Sequence, residues 1–322
     1  MQPESDTMAD ISVIIPAYRA SASIGRALAS VAGQTLKPRQ AIVVDDGSND
    51  GTYEAAEAMA EQMNGVALSV IRQDNQGAGS ARNRALRDAT STYVAFLDAD
   101  DEWMADKIER SMIVLESTGH VLIGHDFVRV ETDGTGQTIE CAHRFRHARD
   151  PFAGLFRQGF LGTSTVVARR DTVQAAGGFD ESLATAQDFD LWLKILAADG
   201  VTFTVFPEAL TRYHVTGGSI TSFTARRLVC SLKIARRHAP GLRDLWLRIV
   251  TVHYEAFTAY RSGGQFLQML WSALTLPGSL LTTVSPRWAV LTLWAWVIGG
   301  FGAYLYRFQD MVLAAVKMLQ RL

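Results

Sequence analysis

The chain has 322 residues, with 31 Lys and Arg against 33 Asp and Glu and a hydrophobic content of 48%. That length and core content suit one large domain or a domain with an appendage, and the balanced charge excludes the global basic excess of a nucleic-acid binder, so no nucleic acid is expected as a partner. The two cysteines, Cys141 and Cys230, lack metal-ligand spacing and cannot form a disulfide framework, so two buried thiols in a reducing compartment are expected.

Residues 1–10 form a polar, acidic tail without a basic n-region or an apolar h-region, so the folded part is expected to stay in the cytosol. Ile11 to Ile15 is a short β-branched run stopped by Pro16 and reads as a buried strand. Ala22 to Gln34 carries Ile24, Leu28 and Val31 at helical spacing, with Ser21 or Ser23 available as cap. Strands are expected over Gln40–Val44, Val66–Ile71 and Tyr93–Leu97, and helices over Thr52–Met63 and Ala78–Ala89. This alternation predicts a mostly parallel sheet with helices on both faces. Beyond Asp101 the rhythm loosens. A helix is expected over Lys107–Ser117, strands over Val121–Val130 and Thr165–Ala168, and a buried helix over Phe189–Ala198. Short strands follow at Val201–Phe206 and Leu210–His214, and from about Phe223 the chain reads helical. Residues 131–150 hold turn residues and the basic cluster His143-Arg144-Phe145-Arg146-His147.

Three acidic motifs stand at the ends of buried elements, where an open α/β sheet builds its ligand site. Asp45-Asp46-Gly47-Ser48 follows the second strand; Asp46 could accept from a base N–H or a ribose hydroxyl, while Asp50-Gly51-Thr52 equally suits a turn and helix cap. Asp98-Ala99-Asp100 follows the fourth. Two carboxylates on one side suit a hard divalent cation that keeps positions open for phosphate oxygens; the alternative is a solvated acidic turn continued by Asp101 and Glu102. Asn75-Gln76-Gly77-Ala78-Gly79-Ser80 leads into a helix whose amides can meet a phosphate, with Arg82 one turn in, facing either the diphosphate or a carboxylate of the crevice. Asp188 heads an apolar helical face and can act as cap or as base.

Together these segments resemble the family 2 glycosyltransferases, with the Rossmann-like GT-A fold that binds nucleotide-sugars. The matching pieces are Val13-Ile14-Ile15-Pro16-Ala17-Tyr18, Val44 to Thr52, Asn75-Gln76-Gly77 and Ala81-Arg82-Asn83. Further matches are Phe96 to Asp101, Gly177 to Glu181, Gln187-Asp188 and Tyr213-His214. Carried onto this chain, the resemblance implies a catalytic domain over 11–221. Pro16, Ala17 and Tyr18 would line the nucleoside pocket and Asp46 would contact the base. Asp98, with Ala99 beside it, would hold ribose or base; Gly77 and Arg82 would belong to the same donor site. Asp100 would coordinate a divalent metal, Mn2+ or Mg2+, bridging the two phosphates, with His214 assisting it and Arg212 near the diphosphate. Asp188 would be the general base of an inverting, in-line transfer from a nucleotide-diphospho-sugar, a UDP-sugar first, to a saccharide or lipid-linked saccharide acceptor. The chain departs from the family at Arg19-Ala20-Ser21, where Asn and Glu commonly follow the tyrosine, and at Gln187, where an acid commonly precedes the catalytic aspartate.

The region 222–322 reads as a helical extension with apolar segments at about 266–306. No formal charge occurs from Ser262 to Pro286, nor in the nineteen residues from Trp288 to Tyr306, close to the roughly 20 needed to span a bilayer. Trp271, Trp288, Trp294, Trp296, Tyr304 and Tyr306 suit an interface, and Arg226-Arg227, Lys233 and Arg236-Arg237-His238 suit anionic headgroups. A membrane surface is therefore an expected partner, and the cytoplasmic face of the plasma membrane the expected location. The rival from another class is a non-catalytic nucleotide-sugar-binding or scaffold protein of the same fold.

Overall fold

A computed structural model describes residues 8–216 and 224–281. The chain alternates first: β1 (Ala9–Ala17), α1 (Ile24–Ala32), β2 (Pro38–Asp46), α2 (Thr52–Glu57), β3 (Ala67–Gln73), α3 (Ala78–Asp88) and β4 (Tyr93–Phe96). It continues with β5 (Glu102–Trp103), α4 (Lys107–Thr118), β6 (Leu122–Val130), β7 (Gly136–Ile139), α5 (Cys141–Arg146) and α6 (Pro151–Gln158). Next come β8 (Val167–Arg169), α7 (Arg170–Ala175), α8 (Gln187–Leu196) and β9 (Phe203–His214). The described part ends with α9 (Thr224–His238), α10 (Leu242–Ser262) and α11 (Phe266–Leu281).

One sheet runs β3-β2-β1-β4-β8-β6-β9-β5, with β7 paired to β6. The first four strands are parallel, as the alternation predicts. Beyond them β6 and β9 also run parallel, in keeping with the expected architecture. β8 lies antiparallel to both β4 and β6, and β5 and β7 add antiparallel edges, so the sheet is mixed. Antiparallel pairing enters where strands are joined without a crossover helix, as where β6 turns directly into β7.

Along β1, Ile11, Val13 and Ile15 pack into one buried cluster with Ile24, Leu28 and Val31 of α1. Strand alternation turns Ile14 and its neighbour Phe96 to the other layer, where Phe96 meets Phe179 and Trp192 edge-on at 5.5 and 5.3 Å. Each fully buried aliphatic or aromatic side chain contributes about 1.5–3 kcal/mol.

Three local expectations change. The two short strands expected around Pro207 are one strand, β9. Its register against β6 slips where Phe206 pairs with His125 and Ala209 with Asp126. Pro207 falls in that slip, where its missing N–H costs no ladder bond. Residues 131–150, read as turns, supply β7 and α5, and the basic cluster rides on α5. Thr165 closes a 3-10 turn, Thr163–Thr165, and β8 begins after it.

The chain divides into two compact units, Met1–His147 with Gly159–Ser219 and Ala148–Gln158 with Ile220–Leu322. The first holds the sheet. The second holds α6, α9, α10 and α11; α6 thus groups with the C-terminal helices rather than with the span 11–221. Within it His253 is buried, with Nδ1 2.9 Å from the Ser272 carbonyl and Nε2 3.0 Å from Ser279 Oγ. Helix α11 carries no charge and exposes Phe266, Leu267 and Trp271. Among the described residues no helix is long and apolar enough to cross a membrane. The stretch 288–306 lies outside the described residues. Cys141 and Cys230 are free and buried.

Lys107 opens α4 fully buried, its Nζ 4.0 Å from the Trp103 ring centre and without a hydrogen-bond partner. Burial pushes its pKa down to about 7. An unfolded lysine titrates near 10.4, so between about pH 7 and 10.4 the unfolded chain binds a proton that the native chain does not. Stability contributed here therefore rises with pH across that window. Lys107→Met keeps the length and removes the charge. It is expected to melt at higher temperature at pH 7, by the equivalent of about 1 kcal/mol or more, and to lose this pH-dependent rise. Parallel melting curves for both proteins from pH 7 to 10 would contradict the assignment.

Candidate active site

The C-terminal ends of β1, β2 and β4 and the starts of α3 and α8 assemble the candidate site. Pro16 and Ala17 are the last residues of β1, with Ala17 paired to Asp45, and Tyr18 follows, 48% exposed. Arg19 stands at φ +51° with its guanidinium 5.3 Å from the Tyr18 ring. The loop is tied to the one after β2. The Arg19 amide donates to Ser48 Oγ at 2.8 Å, the Ala20 amide to Thr52 Oγ1 at 2.8 Å and the Ser21 amide to Asp50 at 3.2 Å. Burial raises Asp50, but donors from Thr52 and Ser21 outweigh it and hold its pKa at about 2.

Asp46 is 2% exposed. Its Oδ1 accepts from the Gln76 amide at 2.9 Å and from Gln73 Nε2 at 2.8 Å, and its Oδ2 accepts from the Gly77 amide at 2.7 Å. The carboxylate expected to meet a base thus braces the loop into α3. Gly47 makes the close approach possible. It sits at φ +75°, and a Cβ there would lie 2.9 Å from the Asn75 amide nitrogen. Gly47→Ala is expected to cost about 2 kcal/mol of stability through the left-handed backbone and this clash. The check is a calorimetric melt, where a fall of several degrees is predicted and an unchanged transition would contradict it.

Gly77 precedes α3 at φ +93°, and α3 presents its first-turn amides beside α8: a Cβ on Gly79 would lie 3.3 Å from Gln187 Cγ. Arg82 is buried and donates through Nη2 to Asp98 Oδ1 at 2.6 Å, with its guanidinium 5.3 Å from the Phe179 ring. Of the two roles open to Arg82 in the sequence, the pairing with a crevice carboxylate is the one formed.

Asp98, Ala99 and Asp100 form a turn rather than a continuing strand, since β4 ends at Phe96. Asp100 Oδ2 accepts from Thr216 Oγ1 at 3.0 Å, and its carbonyl accepts from Arg26 Nη2 at 2.6 Å. Burial, then the Asp98 charge, raises the Asp100 carboxyl. Asp101 is fully buried and raised well above its usual value by burial and by both neighbouring aspartates. It accepts from Ser164 Oγ at 2.6 Å and from the His214 amide at 3.1 Å. Behind this turn, Glu102 pairs with Arg212 at 2.9 Å; His214 Nε2 stands 3.7 Å from the same carboxylate and has no hydrogen-bond partner. Burial, then the Arg26 charge, lowers His214.

Asp188 is the second residue of α8, after Ala186 in a left-handed conformation at φ +58°. It does not cap the helix. Its Oδ2 accepts from Thr163 Oγ1 at 2.6 Å. Gln187 turns away and donates to the Leu183 carbonyl at 2.7 Å.

A magnesium- or manganese-like cation held by one or two carboxylates plus phosphates fits this donor set. Asp100 supplies a hard oxygen in a cluster of like charges whose repulsion a cation would relieve. Among the described residues no group of three or more His, Cys, Asp or Glu can hold a metal unaided.

Sequence reading passed over Arg26, Asp101, Thr163, Ser164 and Thr216. Asp101 was visible in the acidic run. The others lie far along the chain from the motifs they touch, and the one local signal was Thr163-Ser164-Thr165, a polar triplet directly before an apolar run.

Glycosyl transferase family 2 matches residues 12–173. The amylovoran biosynthesis glycosyltransferase AmsB of Erwinia amylovora is 31% identical over 275 residues, covering 81% of this chain and 88% of that protein. Among solved structures, residues 1–349 of S. aureus TarS in complex with UDP-GlcNAc superimpose with a TM-score of 0.63 at 19% identity, covering 96% of this chain and 91% of that fragment. The mannosyltransferase PcManGT of Pyrobaculum calidifontis, in complex with GDP-Man and Mn2+, gives a TM-score of 0.61 at 20% identity, covering 96% and 86%. At these identities the two structures show the shared GT-A fold.

Proposed function

The chain belongs to glycosyl transferase family 2, and from that premise we propose that it moves a sugar from a nucleotide-diphospho-sugar to an acceptor hydroxyl by inverting, in-line displacement. The observation that carries the reading is the turn at 163–165. Its hydroxyls touch both the Asp98–Asp101 turn and Asp188, so the candidate donor carboxylates and the candidate base share one support.

In this reading a UDP-sugar lies over the ends of β1, β2 and β4. Pro16, Ala17 and Tyr18 border the nucleoside, and Asp46 contacts the base while it braces the Gln76–Gly77 loop. Asp98, held by Arg82, faces ribose or base beside Ala99. The first-turn amides of α3, which have no intrahelical partner, face the diphosphate, with Arg212 nearby. Asp100 and His214 would hold Mn2+ or Mg2+. When bound, the cation offsets charge on the leaving nucleoside diphosphate. Asp188 accepts the acceptor's hydroxyl proton as the oxygen attacks the anomeric carbon from the opposite side. Thr163 donates to Oδ2 and so orients the carboxylate.

In this reading the acceptor belongs to a surface polysaccharide or a glycolipid intermediate, which the name of AmsB, an amylovoran biosynthesis glycosyltransferase, supports. The exposed Phe266, Leu267 and Trp271 on α11 and the exposed Arg226, Arg227, Lys233, Arg236 and Arg237 on α9 support work at an anionic membrane surface, at its cytoplasmic face. The test is product stereochemistry. An α-linked donor is expected to yield a β-linked product with release of nucleoside diphosphate, read by NMR. Retention of configuration would overturn the mechanism.

A further inference from the structure

Resting on that reading, we propose that Thr163 and Ser164 are a pair of positioning residues that set the base and the donor carboxylates in one fixed relation. Ser164 Oγ donates to Asp101 Oδ2 at 2.6 Å and accepts from the Asp98 amide at 3.1 Å. One hydroxyl thereby spans both ends of the acidic turn, and its single proton is committed to Asp101. The Ser164 carbonyl accepts from Trp103 Nε1 at 2.8 Å and from Thr211 Oγ1 at 3.0 Å. Four partners from β4's end, β5 and β9 therefore fix one serine.

The adjacent Thr163 donates to Asp188 Oδ2 at 2.6 Å. A hydroxyl has one proton, so this bond orients the carboxylate and leaves Oδ1 as its other acceptor atom. The turn between them is closed by its own bonds. The Thr165 amide and Oγ1 donate to the Gly162 carbonyl at 3.0 and 2.8 Å, and the Val166 amide to the Thr163 carbonyl at 3.1 Å. Thr163, Ser164 and Thr165 are 8, 4 and 2% exposed, so the bonds lie in a water-poor setting where they are stronger. The next residues enter β8, which pairs with β4, the strand that delivers Asp98.

An in-line displacement tolerates little error between base and leaving group, and a misplacement of about 1 Å can cost about a hundredfold. A rigid turn with one hydroxyl on each side meets that demand. Neither residue touches the reacting atoms in this scheme; each acts through a carboxylate.

The two hydroxyls have separable effects. Thr163→Val keeps the shape and deletes the bond to Asp188. It is expected to lower kcat by about tenfold to a hundredfold while donor binding, read by calorimetry with Mn2+ present, stays within about twofold. Thr163→Ser restores the hydroxyl and is expected to recover most of kcat. Ser164→Ala is expected to weaken donor binding about tenfold, because it frees the Asp98–Asp101 turn to shift from the geometry that meets the donor. An unchanged kcat in Thr163→Val, failure of Thr163→Ser to recover it, or unchanged donor binding in Ser164→Ala would each overturn the pairing. Failure of the underlying reading looks different: Asp188→Asn would then turn over like the wild type, or the wild type would bind no donor.

Discussion

Asp188→Asn is expected to fold and bind donor like the wild type and to lose transfer by about a hundredfold to ten-thousandfold. The amide keeps the shape of the carboxylate, and its oxygen can still accept from Thr163 Oγ1, now 2.6 Å from Oδ2. It cannot take a proton from the acceptor hydroxyl. Melting temperature and donor affinity should therefore stay near wild type while kcat collapses. The neutral Gln187, bound to the Leu183 carbonyl, offers no substitute base. Asp190, two residues on, is buried and ion-paired to Lys194 at 2.8 Å, so it offers none either. Steady-state release of nucleoside diphosphate with acceptor present checks this, and wild-type turnover in the purified variant would remove Asp188 from the mechanism.

Asp100→Ala is expected to abolish the metal dependence of donor binding and to reduce affinity at saturating Mn2+ by at least about tenfold. The acidic turn concentrates charge: burial and Asp98 both raise Asp100, and Asp101 behind it is raised further. Removing one carboxylate relieves that repulsion, so the variant should be no less stable without donor, and the loss should appear in binding alone. The Thr216 hydroxyl would lose its acceptor, but Thr216 is exposed and water replaces it. Titration of donor at several Mn2+ concentrations separates the outcomes. If the variant kept the wild-type response to manganese, Asp100 would not be a metal ligand.

The parallel half of the fold was legible because β1 to β4 alternate with helices and their apolar runs have the right periods. Later strands β6, β8 and β9 were also legible as apolar runs, but β5 and β7 were not. β5 is two residues long, too short for a period to register, and β7 is largely exposed and polar; both are held by tertiary pairing. Pro207 argued for a break that the β9 slip absorbs. In the site, the acidic motifs announced themselves by position after strands. Their partners did not: Ser164 lies 66 residues from Asp98, and Thr163 lies 25 residues from Asp188. Asp46 shows the opposite case, a residue whose motif was plain and whose additional bonds to Gln73, Gln76 and Gly77 were not.

The most direct test of the central claim is donor binding by the wild-type protein, measured as thermal stabilisation across a panel of nucleoside-diphospho-sugars with and without Mn2+. The account predicts that one donor, a UDP-sugar first, stabilises the protein and does so only with the metal present. A well-folded protein that responds to no donor, or responds equally without metal, would contradict it.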